Sequence, residues 1–185
     1  MLNLINGSLV SFEDSRITTI AQYAFTYHPT LQSISLPNVT RTNTRAFDHA
    51  SVLKSLSLPG LTGTTYTYLC SYCTALTDVD IKNAKTISNY TFYYCTALTK
   101  LDLHKATSIG TNVFNASSKF TTLIIRTDSV CTLSGTNSFT GTKIASGTGY
   151  IYVPSALIDN YKTATNWSTY ANQFRAIEDY PEICG

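Results

Sequence analysis

The chain of 185 residues carries 13 Lys and Arg against 11 Asp and Glu, a net charge of +2, and only 13% of its residues are charged. That length is enough to bury about 70% of the unfolded chain's surface, and so weak a charge excess argues against binding nucleic acid through its phosphates. Apolar residues make up 43%, yet no run of them is long enough to span a bilayer, so no membrane insertion is expected.

In chain order, residues 1–8 show neither a basic start nor an apolar stretch of signal-peptide length, so no signal peptide is visible. A trimmed leader and export by another route, for instance as part of a phage particle, both stay open. Leu9-Val-Ser-Phe12 reads as a front half-unit. A Leu-x-x-(Leu/Ile/Val)-x-(Leu/Ile) signature then returns every 22 or 23 residues: Leu31-Ile34-Leu36, Leu53-Leu56-Leu58, Leu76-Val79-Ile81, Leu98-Leu101-Leu103 and Phe120-Leu123-Ile125. A fixed period of this length means one supersecondary unit stacked on copies of itself, which predicts a solenoid.

Each unit has two halves. Apolar residues two apart, such as Ile34 and Leu36, share one face of a strand, and the polar residues between them take the other. Stacked units then form a short-stranded parallel sheet with strands about 5 Å apart. The return half carries an aromatic plug eleven residues after the last strand position, at Phe25, Phe47, Phe92 and Phe114, and an Ile at Ile20, Ile87 and Ile109. It is expected to form a turn or short helical piece. The third unit has an extra residue near Gly63 and Cys70 in the aromatic slot. Residues 127–149 are the least regular, and Tyr150-Ile-Tyr-Val-Pro154 reads as a last strand. Beyond it, Ser155 is placed to N-cap a helix to Lys162 or Thr163 with Leu157, Ile158 and Tyr161 as its apolar stripe. Trp167, Tyr170, Phe174 and Ile177 suggest a second short helix or turn over the open end. The expectation is one domain: an N-terminal half-repeat over 1–16, regular repeats over 17–126, an irregular repeat over 127–154 and a helical cap over 155–185.

Pro after the last strand leucine (Leu36-Pro37, Leu58-Pro59), Ala-Phe eleven residues on (Ala24-Phe25, Ala46-Phe47), and Cys before the next leucine (Cys73-Thr-Ala-Leu76, Cys95-Thr-Ala-Leu98) resemble the BspA-like, or Treponema-type, leucine-rich repeats. The resemblance implies an α/β repeat solenoid, a right-handed coil with its parallel sheet on the concave face and a C-terminal cap containing a short helix. It also implies a non-enzymatic protein, secreted or on a bacterial cell surface, that binds host proteins or other cells. No catalytic or cofactor residues come with it.

The residues agree with that negative. Cys70-Ser-Tyr-Cys73 has neither the helix N-terminus of a redox motif nor the two further ligands of a zinc site. Cys73 and Cys95 fall in the column of His28, Ala50 and Ser117, where reduced, buried thiols are expected. His28, His49 and His104 lie in three different columns, with no nucleophile paired to them. No catalytic, metal or cofactor site is expected.

Two surfaces are candidates for binding. On the sheet face, Asp78, Asp80, Lys82, Lys100, Asp102, His104 and Arg126 form a mixed-charge strip, with Asp80 beside Asp102 and Lys82, Lys100 and His104 placed to compensate. The plainer reading is a self-neutralising solvated surface. Opposite it, Tyr27, Tyr72 and Tyr94 on one side of the plugs, and Tyr68 and Tyr90 on the other, should form stacked aromatic ladders suited to sugar or protein contact, or simply to bracing the coil. The expected function is an adhesion module contacting a host or neighbouring surface protein or glycan, monomeric in isolation. The alternative is a structural or attachment component of a larger surface or phage-tail assembly.

Overall fold

The structure, a computed structural model, describes residues 9–184; the segment read above as lacking a signal peptide lies outside them. The period becomes a row of parallel strands: β1 (Ser11–Glu13), β2 (Ser33–Ser35), β3 (Ser55–Ser57) and β4 (Asp78–Asp80), each paired with the next in sequence. Register is strict. Phe12, Ile34, Leu56 and Val79 stand opposite one another, because a slip of one residue would turn every apolar side chain outward.

The return halves differ from a plain turn. They place β5 (Thr86–Ile87), β7 (Ser108–Ile109) and β9 (Thr132–Leu133) side by side as a second parallel sheet, flanking β6 (Lys100–Leu103) and β8 (Thr122–Ile125) in the chain. The β-branched Ile87 and Ile109 thus plug the core from short strands. A second four-stranded sheet runs β6, β8, β10 (Tyr150–Val153), β11 (Phe174–Ala176). Between β4 and β6 regular pairing lapses, and the His104 N–H donates to the Lys82 carbonyl at 2.8 Å. The lapse falls where Asp80 and Asp102 would stand directly opposite, a like-charge pairing that disfavours close strands.

The core runs the length of the stack. Leu31, Leu53, Leu76, Leu98 and Phe120 are all 0% exposed, each such burial contributing about 1.5–3 kcal/mol. The plugs stack in register, Phe25 on Phe47 at 5.2 Å and Phe92 on Phe114 at 5.8 Å, with Cys70 interrupting the file.

At the C-terminal end a 3-10 turn (Ser155–Leu157) leads into α1 (Ile158–Thr163), where Tyr161 is fully buried. Ser155 does not cap it with its side chain; the Glu178 carboxylate instead accepts from the Ser155 amide. The second helical piece, Trp167–Gln173, is a 3-10 segment, but Phe174 lies in β11, because extended backbone there completes the sheet edge beside β10. Trp167 Nε1–H donates to the Cys131 carbonyl and Tyr170 OH to the Thr136 carbonyl, pinning this segment to the last coil. The turn Ile177–Asp179 and α2 (Pro181–Cys184) follow, with Ile177, Tyr180, Ile183 and Cys184 packed with Ile124 and Tyr152. They cross onto the sheet face.

Candidate functional site

The sheet face divides at the lapse in pairing. Over β2 to β4 it presents Ser33, Ser35, Ser55, Ser57, Asp78 and Asp80, two residues per strand in alternation with the buried Ile34 and Leu56 and the partly buried Val79. Asp78 is exposed and accepts from Ser55 Oγ at 2.9 Å, while Asp80 has Lys82 Nζ at 3.4 Å. This half is a floor of hydroxyls with carboxylates at one margin, open to solvent.

The other half is built differently. Arg126 clasps Asp102 with both Nε (2.9 Å) and Nη2 (2.8 Å), a bidentate pair that holds the guanidinium in one place and raises its pKa further. His104 Nε2 lies 3.5 Å from the same carboxylate. Lys100, read above as compensating the aspartates, instead donates to the Ile183 carbonyl at 2.5 Å, and Arg126 Nη2 also donates to the Cys184 carbonyl. The strip is therefore two groups, and the second is covered by residues 180–184. Arg126 does the neutralising that the sequence reading assigned to Lys100. The covering segment went unrecognised, although a signal existed: Ile124 is apolar in a column that otherwise reads Ser35, Ser57, Asp80, Asp102.

On the opposite face the tyrosine columns owe their alignment to backbone geometry. Tyr23, Tyr27, Arg45, His49, Tyr68, Tyr72, Tyr90, Tyr94, Asn112 and Ala116 all have positive φ, from 54° to 63°. Alternate amides serve different coils: Tyr90, Phe92 and Tyr94 donate to Thr111, Val113 and Asn115 of the next coil, while Thr91 and Tyr93 bond back within their own and the Cys95 N–H is shared between the Phe92 carbonyl and the Ser117 hydroxyl. That alternation needs left-handed residues on both sides of each plug, at roughly 1–2 kcal/mol apiece for a side chain with Cβ. Inter-coil hydrogen bonds and ring stacking offset the strain. Tyr27, His49, Tyr72 and Tyr94 stack in sequence at 4.6, 4.4 and 5.2 Å, and Tyr68 on Tyr90 at 4.6 Å, with the Arg45 guanidinium 4.2 Å above Tyr68. Ring faces are used by one another. What the columns offer a partner is ring edges and hydroxyls, most openly at Tyr27 (66% exposed), Tyr23 (53%) and Tyr94 (43%).

Beneath this ladder lies a buried carboxylate that pattern reading missed. Asp48, 2% exposed, binds Arg45 Nη1 at 2.7 Å, accepts from the fully buried Ser71 hydroxyl, and has His49 Nδ1 at 3.1 Å. Its column is otherwise Thr26, Ser71, Tyr93 and Asn115, which gave no warning of burial.

All five cysteines are free and buried. Burial pushes the Cys70 and Cys95 thiols well above the ordinary value, which makes them poor nucleophiles. Cys95 Sγ donates to the Cys70 carbonyl and Cys73 Sγ to that of Phe47, both at 3.1 Å. Among the described residues no three His, Cys, Asp or Glu side chains are grouped to hold a metal ion, and no helix is long and apolar enough to cross a membrane.

The pattern of the BspA type leucine rich repeat region matches residues 18–145 in six copies. The chain belongs to that family. Its fold is similar to the crystal structure of the T. pallidum leucine rich repeat protein, with a TM-score of 0.56 and 18% identity over 78% of this chain. The chain spans 62% of that protein's length, and the likeness is one of fold. No curated protein matches it. Proteins of this repeat family are generally non-enzymatic.

Proposed function

We propose that this is a non-enzymatic binding and adhesion module, secreted or displayed at the cell surface, that contacts a host protein or glycan. The observation carrying this reading is the open half of the sheet face, where Ser33, Ser35, Ser55, Ser57, Asp78 and Asp80 stand in strict register above a closed core. Polar groups held on a rigid floor engage a partner without first being ordered. Membership in a family whose repeats are typically surface-associated supports the location. The exposed edges of Tyr27 and Tyr94 are a second contact surface.

The test is binding of the purified chain to an array of extracellular-matrix proteins and glycans beside an Asp78→Lys/Asp80→Lys variant. These positions are better probes than Asp102, whose loss would also release Arg126. Saturable binding lost in the variant is the expected result. Binding kept there but lost in Tyr27→Ala/Tyr94→Ala would move the contact to the turn face. A silent array, with the chain associating with itself in solution, would overturn the reading in favour of a structural or attachment component of a larger surface or phage-tail assembly.

A further inference from the structure

Ile124 and Tyr152 are 0% and 3% exposed, yet they point away from the solenoid core. They belong to a separate apolar cluster completed by Cys184, with Tyr150, Ile177, Tyr180 and Ile183 packed on it. Tyr180 meets Tyr152 edge to face at 5.4 Å. This floor contributes nothing to closing the coils. Its neighbours Lys100 and Arg126 spend donors on two main-chain carbonyls, and Arg126 is prepositioned for this by Asp102. An apolar floor beside one cation held in place by Asp102 and a second within reach of a carbonyl is the chemistry that recognises a peptide.

We propose that this half of the sheet face is a peptide-binding site. It takes a short apolar segment that turns two carbonyls toward Lys100 and Arg126, and residues 180–184 are its occupant in cis. The inference rests on the sheet face being a contact surface, and it names the partner chemistry of the covered half. The occupant is built to leave. It contains the four-residue α2, pairs with no strand, and exposes Pro181 and Glu182. Such a segment belongs to the least stable part of a fold, while the floor beneath it is anchored in β8 and β10.

Cys184 reports on the segment without any partner, because the other four thiols lie in the core or against the last coil. In the native full chain, N-ethylmaleimide with mass spectrometry should modify Cys184 well before Cys70, Cys73, Cys95 and Cys131. Lys100→Ala or Arg126→Ala should each speed Cys184 labelling about tenfold, the loss of one charge-assisted hydrogen bond, and leave the other four rates unchanged. A fluorescent peptide of residues 177–185, carrying Ser for Cys184, should bind saturably to the full chain with its own segment loosened by Tyr180→Ala/Ile183→Asp. It should bind the unmodified chain about tenfold more weakly or worse. Labelling of Cys184 only together with the core thiols, or failure of the loosened chain to bind the peptide while its core thiols stay protected, would overturn the proposal. A silent matrix array with peptide bound would count against the adhesion reading alone; array binding with no peptide bound would count against this site alone.

Discussion

Removing the Asp48 carboxylate should be the most damaging single change on the turn face. Its side chain is 3% exposed, binds Arg45 and Ser71, and lies 3.1 Å from His49 Nδ1. In Asp48→Ala the Ser71 hydroxyl, fully buried, loses its acceptor, at a cost of about 1–3 kcal/mol. Arg45 is 35% exposed and can turn to water, so its lost pair counts on the surface scale of about 0.2–1 kcal/mol. The total is about 3 kcal/mol, and for a chain of this size that lowers Tm by about 6–12 °C. Asp48→Asn keeps an oxygen for Ser71 and should cost roughly 1 kcal/mol, the smaller part. Urea melts of both variants, with Ser71→Ala and the Asp48→Ala/Ser71→Ala double variant, close a cycle in which the double costs clearly less than the sum. If Asp48→Ala lies within about 0.5 kcal/mol of the parent, or matches Asp48→Asn, the network is not what holds these coils together.

Two glycines should answer oppositely to alanine. A Cβ at Gly60 would meet the Pro37 carbonyl oxygen at 2.4 Å, so Gly60→Ala should force neighbouring coils apart at a cost of about 1–3 kcal/mol. At Gly63 nothing lies within 4 Å, so Gly63→Ala should be neutral or stabilise by up to about 1 kcal/mol. Thermal melts decide, and equal effects would refute the packing argument. Alkaline pH should weaken the fold. Burial pushes Cys131 from 9.0 and Tyr161 from 10.0 up to about 12. Both hold their protons longer folded than unfolded, so stability is intact below about pH 9 and falls as pH rises toward 12, by about 1.4 kcal/mol per pH unit for each group ionised only in the unfolded chain. Urea midpoints at several alkaline pH values measure this, Cys131→Ala should flatten the decline, and a constant midpoint up to about pH 11 would exclude it.

Much of the architecture was legible because it is periodic. A solenoid repeats one local problem, so the spacing of Leu31, Leu53, Leu76 and Leu98 already implies strands, their order and their register. The small second sheet was legible only as a column of Ile20, Ile87 and Ile109, since two-residue strands leave no alternation to read. The tyrosine columns could be aligned by counting, but counting could not reveal their positive φ. Left-handed backbone at Tyr68 or Tyr94 is forced by hydrogen bonds to the next coil and has no preference for tyrosine, as Asn112 and Ala116 in the same columns show.

What the sequence determined by itself, then, is whatever depends on contacts at one fixed separation of 22 or 23 residues: the stack, its core and which side chains face out. Only the tertiary structure decided the contacts that break that period. Lys100 meets Ile183 across 83 residues and Arg126 meets Cys184 across 58, and no repeat encodes either distance. Asp48 keeps the period, with Ser71 23 residues on, but its burial rests on side chains that meet in one coil only: Arg45 from its own turn and the Ser71 hydroxyl from the next. Periodicity specifies neighbours that recur; a charge pair or a docked tail happens once, and its partners become visible only when the chain has folded back on itself.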